Sequence, residues 1–436
     1  MAGLRRALGL LDATLVNAGV MIGSAVFLTA SDVARVFPHP LAQLGAWAVA
    51  ALFSLAGALT IAELSAALPV AGGLSVYLDR AFGPFWGFFY GWALFVVIQT
   101  ASIAAVAVAF ASYSGHFLPL SPRGAEGLAI CAIGALTLVN VLGVREGVVT
   151  QNVMTFAKMA VIAGLIVLAF GGGRGGSWSH LSTPSAASPA GLAAMGAALL
   201  GPLFAFDGWI TISYMGGEVK RPARNLPLAA LASVGIVAAI YLALNAAYLF
   251  VLGSSGVARS ELVAADTARA LLGERGADLA AGMVALATLG GLNGNVLGGA
   301  RVLYAMGRAG VFWGPAAQVH PRFGTPAMAL GIQGAVSMAF VLTGRFDQLI
   351  ASVLFASWLF YAMGGVAVFV LRRDASLRRP YSVPGYPLVP AVFIVFAALL
   401  LVSTLVSDPR DSLLGIALLL TAVPAYLVAR RKREDH

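Results

Sequence analysis

The sequence predicts an all-α polytopic membrane protein of about twelve transmembrane helices, built as two inverted copies of five with two further helices. Three observations carry that prediction. The chain is 60% apolar and 10% charged, and a water-soluble domain of this size needs a polar exterior that such a composition cannot supply. Its apolar residues gather into runs long enough to cross a bilayer, about 20 residues each. Its basic residues alternate between dense and sparse in successive loops, the pattern left by loops that face opposite sides of a membrane.

The runs lie at roughly 12–37, 42–69, 84–118, 127–144, 149–170, 192–217, 227–253, 278–308, 326–344, 348–371, 386–407 and 412–430. They lack the alternation and short segments of a lipid-facing barrel, so they read as helices. Arg5 and Arg6 precede the first run, which continues to about Phe37 and is too long for a signal peptide; it reads as an uncleaved span. Cys131 is the sole cysteine, so no disulfide framework exists. With the N-terminus inside, 17 basic residues fall in cytoplasmic loops and 8 outside, and the outer loops hold most of the acids. Both termini are then cytoplasmic and the protein is a multi-pass protein of the inner (plasma) membrane. This distribution also accounts for the net charge of +9 without nucleic acid. No loop is long enough for a soluble domain, so residues 1–436 form a single transmembrane domain.

Residues 12–170 hold five spans and residues 192–371 hold five more, with two extra helices at 386–430. An odd number of spans per copy inverts the second relative to the first. The first span of each copy is interrupted, by Gly19-Val20-Met21-Ile22-Gly23-Ser24-Ala25 in one and by Pro202 to Trp209 in the other. Paired interruptions in corresponding helices point to a transporter binding site. A mid-membrane break frees N–H and C=O groups that hydrocarbon cannot satisfy, and a zwitterion supplies partners for both. The half-helix starting near Gly23 and Ser24 offers N–H groups and a positive dipole end to a carboxylate. Carbonyls near Met21 and Phe204 suit an ammonium. Glycine at 23 allows close backbone approach and Ser24 adds a hydroxyl.

The candidate substrate-binding residues are therefore Met21, Ile22, Gly23, Ser24, Ala25, Phe204, Phe206, Asp207 and Gly208. Asp207 stands near mid-span, where it either caps the second half-helix or meets the substrate, two roles that can coexist. Its charge disfavours anionic side chains. The wall of Ile22, Phe204, Phe206 and Trp209 favours neutral amino acids. Glu63 reads as one half of a structural ion pair, Arg301 as a snorkelling side chain, and Asn293 and Asn295 as interhelical hydrogen-bonding groups. Lys158 is the only lysine inside a span; it either snorkels to the interface or turns into the bundle, where its charge repels a sodium ion.

Other classes lack their chemistry. None of the three lysines, Lys158, Lys220 and Lys432, follows a glycine, so no phosphate-binding P-loop exists. None of the five histidines opens an H-E-x-x-H sequence, and a single cysteine precludes a thiol-rich metal site. The sequence calls for no enzyme activity, no metal and no cofactor, and it names no partner subunit beyond lipid and a small solute.

At these residues the chain resembles the amino acid–polyamine–organocation (APC) superfamily, in particular the L-type amino acid transporters and their bacterial relatives. Gly19 to Phe27 resembles the first-helix motif GxxIGSGIF, with Ala25 in place of its last glycine. Glu63 to Pro69 with Gly72, Gly73 and Tyr77 is similar to the second-helix and loop pattern. Phe204 to Trp209, continuing through Glu218 to Pro227, is similar to the sixth-helix signature. Asn293 to Arg301, His320-Pro321, Thr325-Pro326, and Arg379 to Pro387 match the later motifs. The resemblance implies a LeuT-like fold and alternating access. It implies that Ser24 and its neighbours hold the substrate carboxylate, that carbonyls of Met21 and Phe204 meet the amino group, and that the Phe204 ring is a gate. Lys158 matches the fifth-helix lysine of sodium-independent relatives. The expected activity is sodium-independent exchange or permeation of neutral L-amino acids, with proton-coupled symport or carriage of cationic amino acids and polyamines as the alternative.

Overall fold

The computed structural model describes residues 4–171, 175–185, 191–343, 346–407 and 409–434. Its secondary structure is helical, and among the described residues the only β pairing is two isolated bridges, Leu8 with Val219 and Ala71 with Met215. Arg174, Arg345 and Asp408, counted above as loop charges, lie outside the described residues.

Among the described residues nine helices are long and apolar enough to cross a membrane, and three shorter apolar ones, Leu10–Met21, Ala194–Ala205 and Ala327–Thr343, fill the remaining places in the predicted order. The uninterrupted helices include Pro40–Ala67, Pro122–Leu142, Val144–Gly171, Arg275–Arg308, Ala327–Thr343, Phe346–Leu371 and Leu388–Ser407. Proline opens several of them, at Pro40, Pro84, Pro122 and Pro222. It fits there because the first N–H of a helix has no intrahelical acceptor to lose. The seventh span starts five residues earlier than its apolar run (Pro222 against 227) and extends to Arg259 across a kink at Gly253 (φ 66°). The last span is divided into Pro409–Leu420 and Ala422–Glu434. Short amphipathic helices, Leu74–Phe82 and Val263–Leu272, follow the second and seventh spans at equivalent places in the two copies.

The third span runs through Pro84–Ala93, a π-helical turn at Leu94–Gln99, and Thr100–Ser114. Such turns insert a residue and re-aim side chains, and they recur at functional sites. Two further spans are broken. The first consists of Leu10–Met21, Ala25–Leu28 and Ala30–Val36; the sixth consists of Leu192–Ala205 and Thr211–Tyr214. The breaks touch because Gly208, at φ +113°, has no side chain: a Cβ there would lie 2.6 Å from Val20 Cγ1. Gly19 similarly lets the first span approach the fifth, since its Cβ would overlap Gln151 and Thr155.

Buried polar groups tie the spans. The Glu63 carboxylate accepts from Arg372 at 2.8 and 2.6 Å and from the Val383 N–H at 2.7 Å, the structural pair expected of it. Asn293 joins three spans, accepting from Asn140 and donating to Gln151, each at 2.8 Å. Arg301 corrects the expectation that it snorkels. Its side chain is fully buried and its guanidinium donates to both oxygens of Glu218, at 2.8 and 3.1 Å, and to Leu297 O at 2.7 Å. Glu218, presented on a turn just past the sixth span, is a closer partner than the interface.

Glu218 also anchors the face that carries the N-terminus. Its carbonyl accepts from the N–H groups of Ala7 and Leu8 at 2.9 and 3.0 Å, and Lys220 N donates to Leu8 O at 2.8 Å. That face is therefore closed by the segment ahead of the first span lying on the end of the sixth. Glu218→Gln leaves the Arg301 guanidinium buried without a counter-charge, which costs roughly 3–5 kcal/mol. We expect a large fall in thermal unfolding temperature in detergent. Adding Arg301→Met should recover much of it; a single variant that melts like wild type would contradict the pairing.

Candidate functional site

The two breaks enclose a cavity of about 110 Å³. From the first span it is lined by Met21, Gly23, Ser24 and Ala25, and from the sixth by Phe204, Asp207 and Gly208, all of them candidates from the sequence. Ile22 and Phe206 are corrected: neither lines the cavity. Both are fully buried, and the Phe206 ring packs edge-on against Tyr241 with centroids 5.0 Å apart. At a break the side chains fan to both sides, and these two leave on the core side.

Residues from other spans complete the wall: Gln99 and Ser102 from the third, Thr211 and Tyr214 from the sixth, Asn295 from the eighth and Tyr361 from the tenth. Gln99 reaches the site through the π-helical turn, and its amide donates to Asn295 O at 2.8 Å and Oδ1 at 3.0 Å. A polar side chain within an apolar run was the available signal for Gln99. Nothing in the sequence marked Tyr361.

Donors are supplied to the freed carbonyls from within the chain. Lys158 is fully buried rather than snorkelled, and its ammonium donates to Gly19 O at 2.5 Å and Ile22 O at 2.7 Å. Met21 O accepts from Gly23 N at 2.8 Å and from the Tyr241 hydroxyl at 2.7 Å. Phe204 O accepts from Asp207 N at 3.0 Å. On the far side of the sixth-span break, Asn17 Nδ2 donates to Trp209 O at 2.7 Å and its Oδ1 accepts from Ile212 N at 2.8 Å. An asparagine of the first span thus caps the second half of the sixth.

Asp207 is held at the break by its own backbone, the Gly208 N–H being a partner of its carboxylate. Its carboxylate lines the cavity and accepts from the Tyr361 hydroxyl at 2.7 Å, and it is the only charged residue among the lining residues. On the opposite side stands the first turn of Ala25–Leu28, whose cap residue Ser24 and first residue Ala25 both line the cavity. Asp207 and the start of the Ala25–Leu28 segment therefore face one small cavity.

Phe204 stands at the boundary between this cavity and a larger one of about 540 Å³, lining both. The larger one is walled by Leu28, Thr29, Ser112 and Tyr113, away from the closed N-terminal face, and a third cavity of about 320 Å³ continues beside Tyr113 to His116 and Arg269. A path thus leads from the face opposite the N-terminus to the breaks.

Comparison with known proteins agrees with this architecture. The family described as amino acid permease matches residues 8–424. The serine/threonine exchanger SteT of Bacillus subtilis (strain 168) is 34% identical over 435 residues, covering 99% of this chain and 98% of that protein. The b(0,+)-type amino acid transporter 1 of Mus musculus is 30% identical, covering 93% and 84% respectively. The human large neutral amino acids transporter small subunit 2 is 30% identical, covering 98% and 80%.

The two glycines at the breaks should respond differently to side chains. A Cβ on Gly23 meets nothing within 4 Å, so Gly23→Val adds its methyls to the open side. We expect it to fold with wild-type melting behaviour and to lose amino acid uptake. Gly208→Val, with its positive φ and overlap with Val20, should lose the fold. Equal thermal destabilisation of the two variants would refute this assignment of space.

Proposed function

The chain belongs to the amino acid permease family of the APC superfamily, a family of transporters rather than enzymes, and from that membership we propose that it exchanges neutral L-amino acids without sodium. It is a multi-pass membrane protein with a LeuT-like fold. The reading further holds that residues 1–436 form one transmembrane domain, with repeats at about 12–170 and 192–371, and that both termini are cytoplasmic in a cell membrane. The closed N-terminal face is then the inner one, and the cavities leading to the breaks open outward.

One observation carries the sodium independence. The Lys158 ammonium lies on Gly19 O and Ile22 O, the carbonyls that a bound cation would need at the first-span break. A covalently attached charge there makes a dissolved one unnecessary and repels it. The substrate α-carboxylate goes to the N–H groups of Ser24 and Ala25, where the dipole of the second segment adds to the hydrogen bonds. The ammonium goes to the carbonyl side at Met21 and Phe204, near Asp207. Phe204 gates the path between the two cavities. The neutral assignment is supported by an apolar and weakly polar wall and by likeness to a serine/threonine exchanger. Asp207 favours a second reading, carriage of cationic amino acids, because its carboxylate is aimed into the cavity.

Two measurements decide. In proteoliposomes with sodium replaced by choline, exchange should continue undiminished, whereas Lys158→Ala should reduce flux at least tenfold while the protein still folds. A collapse in choline would sink the sodium-independent reading. In competition assays serine, threonine, alanine and leucine should outcompete arginine and lysine, and amino acid amides should compete poorly with the parent acids. Arginine dominance would assign the site to cationic substrates instead.

A further inference from the structure

The hydroxyl of Tyr241 serves two carbonyls with one hydrogen. This tyrosine of the seventh span is fully buried, its ring held edge-on by Trp47 at 5.5 Å and Phe206 at 5.0 Å. Its oxygen lies 2.7 Å from Met21 O, at the end of the first segment of the first span. It also lies 3.0 Å from Ala205 O, at the end of the first segment of the sixth. A hydroxyl has a single proton to donate, so the two carbonyls compete for it and the longer contact is the under-supplied one. Met21 lines the central cavity and Ala205 does not. The other donor to Met21 O, the Gly23 N–H at 2.8 Å, is backbone and cannot be turned aside.

We propose that Tyr241 is an internal stand-in for the substrate's ammonium group. It donates to Met21 O while the site is empty and turns to Ala205 O when an ammonium takes Met21 O. The proposal rests on the reading that Met21 O receives the substrate's amino group. The hand-over needs only rotation about the phenolic C–O bond, because both acceptors are already within hydrogen-bond distance of a clamped ring. Met21 O then keeps a donor at every stage and Ala205 O gains one on binding, so that binding at one break is reported to the other through one atom. Tyr241 is a positioning residue in this scheme: it touches both broken helices and not the substrate.

The scheme has a signature that packing alone would not produce. In Tyr241→Phe the empty site loses a donor at Met21 O that the ammonium restores on binding. The wild-type hydroxyl trades a 2.7 Å contact for a 3.0 Å one on binding, a step the variant skips, so substrate affinity should rise by roughly 2- to 3-fold, a fraction of one hydrogen bond, while exchange flux falls at least fivefold. The probe is an equimolar mixture of the twenty L-amino acids, with stabilisation of the purified protein as the binding readout. Unchanged or weaker binding in a folded Tyr241→Phe protein overturns the proposal.

A second measurement keeps the hydroxyl and covers the case in which the phenylalanine variant does not fold. With 3-fluorotyrosine placed at position 241, the ¹⁹F resonance should move on adding the amino acid mixture. It should stay in place with the corresponding 2-hydroxy acids, which retain carboxylate and side chain but lack the ammonium. A resonance that moves with both, or with neither, overturns the hand-over while leaving the transport reading intact. If the amino acid mixture fails to stabilise the wild-type protein at all, the transport reading falls and takes this one with it.

Discussion

A helix broken inside hydrocarbon must find donors for the carbonyls it frees, and each one left bare costs several kcal/mol. The hydrogen bonds from Lys158 to Gly19 O and Ile22 O meet that demand at the first-span break. The rest of the site depends on them, because they let the first span end at Met21 and restart at Ala25 with a cavity alongside. They also explain a packing feature. Gly290, on the eighth span, brings its backbone close enough that a Cβ would lie 3.1 Å from the Lys158 ammonium. The ammonium is therefore enclosed by the first, fifth and eighth spans, with no room for a side chain between them.

The two breaks are then fixed to each other rather than independently. Asn17 reaches from the first span to cap the second half of the sixth, Gly208 lets the chains touch at Val20, and Tyr241 contacts both ends at once. These links unite the broken pair into a unit. Different links hold that unit to its surroundings: Glu218 with Arg301 of the eighth span, and the Tyr214 hydroxyl with that of Tyr90 of the third at 2.7 Å. A buried, hydrogen-bonded ion pair holds a closed face firmly because separating it leaves two already desolvated charges uncompensated until water reaches them. Alternating access requires that face to open, so the same pair that stabilises this arrangement is a barrier to leaving it.

Much of this was legible in the chain. Lipid as solvent forces apolar runs of nearly constant length, so the spans and their order could be read with only end corrections, as at Pro222. Gly19 and Gly23 marked one break and the stretch from Pro202 to Trp209 the other, and Glu63 near a helix end announced an ion pair. Arg301 was misread because its sequence position resembles that of a snorkelling residue; its partner, 83 positions away, was invisible without the fold. Gln99 and Tyr361 were missed for a related reason. A π-helical turn and a crossing helix bring them to the cavity; Gln99 stood out only as a polar residue in an apolar run, and Tyr361 left no local pattern.

The sequence by itself determined the solvent, the number of spans, the places where helices break and the presence of a lone lysine within one of them. These follow from composition and from short-range backbone chemistry, which operate over a few residues. Only the tertiary structure decided that Lys158 serves carbonyls instead of reaching the interface, that Asn17 reaches across to cap the second half of the sixth span, and that Ile22 and Phe206 turn away from the cavity. In hydrocarbon a freed backbone group accepts whichever donor the packing brings within about 3 Å. That choice is made by helices far apart in the chain, so no local window of sequence contains it.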